Sequence, residues 1–410
     1  IKPFDQVTFV GRKLFMLPFS FRSFDVNYSQ NRSGAQAGYS GGAQLAQTLM
    51  GGTSPTFLYR IGLDSQILGD DFIGNDGGEA ALQLPGSVKT QDNLTLGTSL
   101  SPFKNISVDL NWSAQWDDDI TETVTLGIDN TRTVVRTQSG TSAASVWAFG
   151  SGYEAFFRNQ LATAFGDIVP GSGIISDSLG NGDGRTVLNP VTLEQDFRSA
   201  YLISGGSSIG DKGFMPIPLP QWRVNWSGLE SSIPFLGRFM SRATLSHSYQ
   251  GRYRMGWTFN NDAGQLLNQS LGAYNLEYLR EDFDPNSVNI ERRFSPLLQL
   301  TVTWKNSMRT TLGIESSKTT SLALSNTQVT EKSSKGMKFS LNYTISNFKL
   351  PFLRKVNNNV DFTLNGSYLE DIEQRYQLGN DLARAMEDPS LGLQDLADFK
   401  VLSIPPTGQA

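Results

Sequence analysis

At 410 residues the chain has room for two or three ordinary soluble domains or for one large barrel, so composition decides more than length does. Only 38% of it is hydrophobic, while 40 Gly, 25 Phe, 12 Tyr and 7 Trp accompany abundant Ser, Thr and Asn, a mixture that suits strands with one apolar and one polar face. A net charge of −5 without basic tracts excludes a nucleic-acid footprint, and the lack of Cys excludes disulfides, thiolate metal sites and cysteine nucleophiles.

No stretch approaches the ~20 continuous apolar residues of a transmembrane helix. Ile1 opens without a charged or apolar leader pattern, and the chain stops in a loop-like Pro405-Pro406-Thr407-Gly408-Gln409-Ala410. The sequence is therefore expected to be an excerpt of a longer chain.

Taken in order, the first expected strand is Phe24 to Tyr28. Leu94, Leu96 and Leu100 then alternate with Asn93, Thr95 and Ser99, and a turn at SPFKN leads to Ile106, Val108, Leu110, Trp112, Ala114 and Trp116. A further strand is expected at Val124, Leu126 and Ile128. YEAFFRNQLATAF, Tyr153 to Phe165, has helical spacing, so a helical insert is expected at about 153–166, followed by a Gly-, Ser- and Asp-rich loop over about 167–215.

Strands follow at Trp222 to Trp226, Ala243 to Tyr249 and Tyr253 to Phe259. A charged cluster of Arg280, Glu281, Asp282, Asp284, Glu291, Arg292 and Arg293 surrounds an expected Pro285-Asn286 turn. Leu298, Leu300, Val302 and Trp304 oppose Gln299, Thr301, Thr303 and Lys305. After Lys305-Asn306-Ser307 the pattern resumes from Met308 to Ile314, which makes a hairpin. Leu322 to Leu324, Met337 to Ile345 and Val360 to Tyr368 complete the set, and residues 371–410 read as a partly helical loop or tail. Counted this way there are about fifteen strands.

The fold class expected is all-β: antiparallel transmembrane strands over 1–370 forming part of a very large outer-membrane barrel, with short helical insertions in loops. Segments reach the 9 to 11 residues that a tilted strand needs to cross a bilayer, and aromatics such as Trp112, Trp116, Trp222, Trp226, Tyr253, Trp257, Tyr343 and Tyr368 fall on apolar faces or near strand ends. A soluble sandwich also alternates and would bury those aromatics between sheets. The deciding expectation is that Met337, Phe339, Leu341 and Tyr343 face outward rather than into a closed core.

Chemistry-bearing patterns are sparse. His247 is the single histidine and shares a strand face with Ala243, Leu245 and Tyr249, which reads as structural rather than metal-ligating. G-x-S-x-G occurs at Gly38 to Gly42 and at Gly206 to Gly210, in neither case between a buried strand and a helix, so both read as chance. The Gly-rich runs Gly34 to Gly52 and Gly205 to Gly213 lack the GK[ST] ending of a phosphate loop. Asp117-Asp118-Asp119 and Asn181 to Gly184 have oxygens for Ca²⁺, but each reads more simply as a solvated turn. No enzyme, cofactor or metal is expected.

From Pro218 to Pro351 the chain resembles the SprA/Sov family, the outer-membrane translocons of the type IX secretion system in Bacteroidetes. The resemblance is carried by PLPQWRVNWSGLE (Pro218 to Glu230), LSHSY (Leu245 to Tyr249) and the long block Phe294 to Pro351, with its LSNTQVTE run from Leu324 to Glu331. Residues 1–217 match in character only, and the tail after Asp371 departs from the family, whose chain closes its barrel with further strands. The resemblance implies a channel for folded cargo proteins bearing C-terminal secretion signals. Plug and lateral-gate proteins and outer-membrane lipid would be its partners, and a role in gliding motility goes with it in some species. Pro218, Trp222, Trp226, Gly228, Leu229, Phe294, Pro296, Trp304, Asn326 and Glu331 match family motifs and are expected to determine the fold rather than to touch cargo. Another large barrel, a nutrient receptor or lipid transporter, and a secreted all-β adhesin are the alternatives.

Overall fold

Alternation of apolar and polar residues, sustained far longer than in ordinary strands, produces one long antiparallel sheet. The computed structural model describes residues 21–36, 82–127, 131–165, 187–203, 208–209, 215–216, 218–233, 235–259, 266–271, 274–279, 283–348, 358–378 and 402–404. The elements begin with β1 (Phe21–Gln36), β2 (Leu82–Phe103), β3 (Ile106–Leu126), β4 (Arg132–Ser145), α1 (Tyr153–Phe165), β5 (Val187–Leu188), α2 (Pro190–Tyr201), β6 (Ser208–Ile209) and β7 (Met215–Pro216). They continue with β8 (Gln221–Ser227), α3 (Leu229–Ser232), β9 (Met240–Phe259), β10 (Leu266–Leu271), β11 (Tyr274–Leu279), β12 (Phe283–Trp304), β13 (Arg309–Ala323), β14 (Gln328–Phe348), β15 (Asn358–Gln377) and β16 (Leu402–Ile404).

The main sheet runs β1-β2-β3-β4-β9-β12-β13-β14-β15-β16, with β8 also lying between β3 and β9. Small sheets of β10-β11-β5 and β6-β7 stand apart from it. Three tight connections place a non-glycine residue in the left-handed region: Asn105 (φ 69°) between β2 and β3, Ser307 (φ 65°) between β12 and β13, and Thr327 (φ 53°) between β13 and β14. In the latter two, the preceding Asn fixes the turn, since Asn306 Oδ1 accepts from Met308 N at 3.1 Å and Asn326 Oδ1 from Gln328 N at 3.2 Å.

Several expected boundaries are corrected, and each correction makes the strands longer. The separate strand at Val124 to Ile128 is the far end of β3, with Ile128 outside the described residues. The Asp run that reads as a turn is held in extended backbone by cross-strand partners: Lys89 lies 2.7 Å from Asp119 and Thr141 Oγ1 donates to Asp117 at 2.7 Å. Ala243 to Tyr249 and Tyr253 to Phe259 are one strand, β9. The Pro285-Asn286 turn is a bulge inside β12, where the register with β9 slips by a residue. Leu322 to Leu324 is the end of β13 and the start of its turn. From Asp371 to Gln377 the expected helix is instead the end of β15.

The helix at Tyr153 to Phe165 is present. The stretch taken as a loop over 167–215 holds a second helix, α2. The readings at Gly38 to Gly42, Asn181 to Gly184, Arg280 to Asp282 and most of the tail after Leu378 lie outside the described residues. The fold is thus antiparallel β with short helical insertions. Among the described residues β1 pairs only with β2, and β16 pairs β15 only along Asp371–Glu373, so no ring of strands closes.

Candidate functional site

Residues paired across an antiparallel ladder point to the same side of the sheet, so the register sorts the two faces without ambiguity. On one face the pairs run Val26–Leu96–Trp112 from β1 through β3, and Ile106–Trp226–Leu245–Leu300–Leu312–Phe339 from β3 to β14. Met337–Tyr368, Leu341–Leu364 and Tyr343–Phe362 continue the face onto β15. On the other face Thr301, Thr311, Ser340 and Asn365 lie side by side, as do Gln299, Gly313, Lys338 and Ser367. This is one apolar belt backed by a polar surface.

The belt is bare. Val26 is 62% exposed, Met337 48% and Leu364 60%, and Phe339, Leu341 and Tyr343 are half-buried, with no second layer over them among the described residues. The four residues expected to face outward therefore lie outside any closed core. The apolar run of this belt covers about nine residues of β15, from Val360 to Tyr368, which is roughly 31 Å along a strand and roughly 22 Å across a layer traversed at about 45°.

Further along the same strands the same face is covered. Tyr253, Met255, Val288, Ile290, Leu322, Val329 and Tyr376 are buried beneath α1 and α2, with Phe156, Phe157, Leu193 and Phe197 closing the cluster. Tyr153 stacks on Tyr376 with ring centres 3.9 Å apart, and Phe156 meets Phe197 edge-on at 5.3 Å. The sequence builds α2 plainly enough: Asn189 caps it by accepting from Val191 N and Thr192 N, Pro190 takes the first helical position, and Leu193, Phe197 and Tyr201 share the buried stripe.

Polar groups fasten this cover. The Tyr201 hydroxyl donates to Glu331 Oε1 at 2.7 Å, while Lys318 Nζ sits 2.7 Å from Glu331 Oε2. Burial pushes the Tyr201 phenol well above its ordinary value, with the Glu331 carboxylate adding to the effect. On α2, Glu194 is fully buried, accepts from the Tyr253 hydroxyl and lies 3.4 Å from Arg198. Burial raises the Glu194 carboxyl above its usual range, against the lowering effects of Arg198 and the Tyr253 hydrogen bond.

The covering segment leaves and re-enters a single lane of the sheet. β4 occupies that lane as far as Ser145 opposite Ser113, and β8 resumes it at Gln221 opposite Asn111. The junction is sewn shut: Leu219 N donates to Ser145 O at 2.8 Å, Ser145 Oγ to Leu219 O at 2.7 Å, Val146 N to Gly251 O at 3.0 Å and Trp147 Nε1 to Pro220 O at 2.8 Å. Gly251 allows this approach, because a Cβ there would stand 2.1 Å from the Val146 carbonyl oxygen.

Most of the residues singled out in the sequence by the resemblance lie around this seam and the nearer strand ends. Pro218 leads into the seam ahead of β8. Trp222 stacks on Tyr249 at 4.4 Å and Phe294 tilts against Tyr249 at 5.2 Å, while His247 hydrogen-bonds the Leu297 carbonyl and packs between Trp222 and Phe294. Pro296 follows a cis peptide inside the β12 irregularity. Trp226, Leu229 and Trp304 pack with Ala243 and Val302 beside the connection from β8 to β9, and Gly228 (φ 74°) starts α3 there. Asn326 forms the β13–β14 turn, and Glu331 is the anchor for α2. The structure brings Trp222 and Phe294 together through Tyr249, but leaves Asn326 and Glu331 on the far side of the helical cover.

Glu194, Arg198 and Tyr201 are the residues that sequence reasoning missed, and Asn189-Pro190 with its 3–4 spacing is the signal that locates them. The Ca²⁺ reading of Asp117-Asp118-Asp119 fails on geometry: in extended backbone Asp117 and Asp119 point to one face and Asp118 to the other, where Gln138 Nε2 bonds it at 3.0 Å. The polar face carries a hollow of about 430 Å³ at the seam, lined among others by Gln115, Gln250, Arg252, Glu291 and Arg293. Among the described residues no group of three or more His, Asp or Glu converges as a metal site would require. No helix among them is long and apolar enough to cross a membrane, which says nothing of strands. No family model matches this chain, and neither does any curated protein.

Proposed function

We propose that this chain supplies membrane-spanning strands of a large outer-membrane β-barrel, and that the barrel is a protein-conducting channel of the type IX secretion kind. The observation that carries the first half is the in-register apolar belt with its polar reverse face and nothing among the described residues packed over it, since a sheet in water leaves a surface of that size bare only at the risk of aggregation. Connections favour the same reading. At the belt end the strands are joined through 104–105, 228–239, 305–308 and 349–357, whereas the opposite end is joined through 37–81, 260–282 and 378–401 as well as two short turns. Short turns on the periplasmic side and long loops outside are the habit of such barrels, and in this reading the helical cover faces outside the cell.

The channel function rests on the resemblance of Pro218 to Pro351 to the SprA/Sov family. Folded cargo with C-terminal signals, plug and lateral-gate proteins and outer-membrane lipid are the partners it implies. A wide polar surface behind a lipid-facing belt suits a conduit for protein. A nutrient receptor or lipid transporter shares the belt and differs in substrate.

Fractionation of the full-length protein, together with an inventory of what accumulates when it is depleted, tests the proposal. Recovery in the outer membrane with signal-bearing cargo held in the periplasm is the expected result. Outer-membrane recovery with normal secretion leaves a barrel with another substrate, and recovery in the soluble fraction overturns the barrel.

A further inference from the structure

Between the bare belt and the covered flank, the apolar face of three neighbouring strands carries a cation. Along β14 the outward residues run Tyr343, Leu341, Phe339 and Met337, then Lys335, then the buried Glu331 and Val329. Along β13 the series is Leu312 and Ile314, then Lys318, then the buried Thr320 and Leu322. Along β12, Arg292 stands between Phe294 and the buried Ile290, directly opposite Lys318 in the ladder. Two carboxylates share this zone. Glu331 is taken up by Lys318 and by Tyr201, and Glu370 lies opposite Lys335 in the ladder, yet no ion pair with Lys335 forms among the described residues. Arg292 is partly exposed, donates one N–H to Ala148 O at 3.3 Å, and has its guanidinium 5.8 Å from the Phe149 ring centre; a guanidinium carries five N–H donors in all.

We infer that Arg292 and Lys335, with Lys318 behind them, form a docking row for the phosphate groups of anionic membrane lipids on the outside of the sheet. This rests on the reading of the belt as lipid-facing. The spacing is what selects the occupant. The row begins two residues beyond Met337 and four beyond Ile314, about 7 to 14 Å along the strand and roughly 5 to 10 Å above the belt at a 45° tilt. The headgroup layer occupies about 5 to 7 Å on each side of the hydrocarbon. A lipid phosphate would therefore meet these cations while its chains lie on Met337, Leu312 and Tyr368. The half-exposed Phe149, in ring contact with Tyr249 at 4.8 Å, supplies the amphipathic neighbour usual at that depth.

The test uses the full-length protein reconstituted into nanodiscs of phosphatidylcholine alone or of phosphatidylcholine with phosphatidylglycerol, read by thermal unfolding. The anionic discs should raise the melting temperature by roughly 2–4 °C. The double variant Arg292→Gln/Lys335→Gln should lose that rise and Lys335→Gln alone should lower it, while Arg254→Gln, which like Lys335→Gln removes one positive charge but from the polar face, keeps it. Lys335→Gln alone serves if the double variant is already unstable in phosphatidylcholine. A rise retained by the cation variants, or lost equally in Arg254→Gln, overturns the row. A rise reproduced by inorganic phosphate added to phosphatidylcholine discs overturns the lipid as occupant. Failure to enter discs of any composition overturns the belt and the row together, whereas insertion without any anionic preference overturns the row alone.

Discussion

Leu341 and Asn342 are adjacent in sequence and opposite in surroundings, so an arginine placed at each in turn measures what the belt faces. Leu341 is the middle residue of the run Met337 to Ile345 and pairs with Thr310 and Leu364, both also on the belt face. If that face lies against lipid, Leu341→Arg puts a guanidinium near the bilayer midplane at a cost of about 2–4 kcal/mol. That corresponds to a loss of roughly 30- to 1,000-fold in the folding equilibrium. Asn342→Arg, on the polar face, should stay within about 0.5 kcal/mol. If the sheet is in water, both sites are exposed enough to accept the charge, and both changes should fall within about 0.5 kcal/mol. Equilibrium unfolding of the full-length protein in lipid vesicles gives the numbers, and the difference between the variants is the quantity that matters. Equal costs at the two positions, or a larger one at Asn342, would refute the assignment of faces.

Three further outcomes concern the helical cover. Tyr201→Phe leaves the buried Glu331 oxygen without its hydroxyl donor and should loosen α2 by about 1–3 kcal/mol, seen as faster amide exchange across Pro190 to Tyr201 with the belt strands unchanged. Gly251→Val drives a side chain into the Val146 carbonyl and should cost about 1–3 kcal/mol or more, read as increased protease cleavage within 146–220. Glu194 has a folded-state value above its unfolded one, so its contribution to docking of the cover is fully present below the ordinary carboxylate range and is lost as pH rises through the raised value. Protection of α2 should therefore weaken across that window, and Glu194→Gln should flatten the slope. An unchanged slope in the variant would assign the pH response to another group.

Much of the sheet was legible because its code has period two. Met337 to Ile345 and Val360 to Tyr368 needed nothing beyond alternation to be placed correctly. What failed were the interruptions. Asp117 to Asp119 and Pro285-Asn286 carry the composition of turns, yet tertiary partners hold them in extended chain, and a propensity for bending is a weak prior against a cross-strand lysine or a tolerated bulge. Helix α2 was readable from Asn189-Pro190 and its apolar stripe, but it was masked by the Gly- and Ser-rich sequence around it. Its landing on Glu331 was not readable at all, since 130 residues separate that carboxylate from Tyr201 and no local pattern encodes the contact. The division of one face into bare and covered zones likewise appears only once the register is known.

The shared lane of β4 and β8 makes the segment between them a cassette. The 14 residues of β4 and the 7 of β8, with one residue between them, would match the 22-residue length of β2 and β12. The sheet's hydrogen bonding is nearly the same whether the cassette is present or spliced out, so its length and surface are free to vary without disturbing the strands that hold it. Rewriting this one insert would thus change what the covered end of the sheet presents to its surroundings. The converse also follows: changes at belt residues such as Trp226 and Trp304, and changes at the cassette's anchorage such as Glu331, should act separately although these residues belong to one continuous sheet.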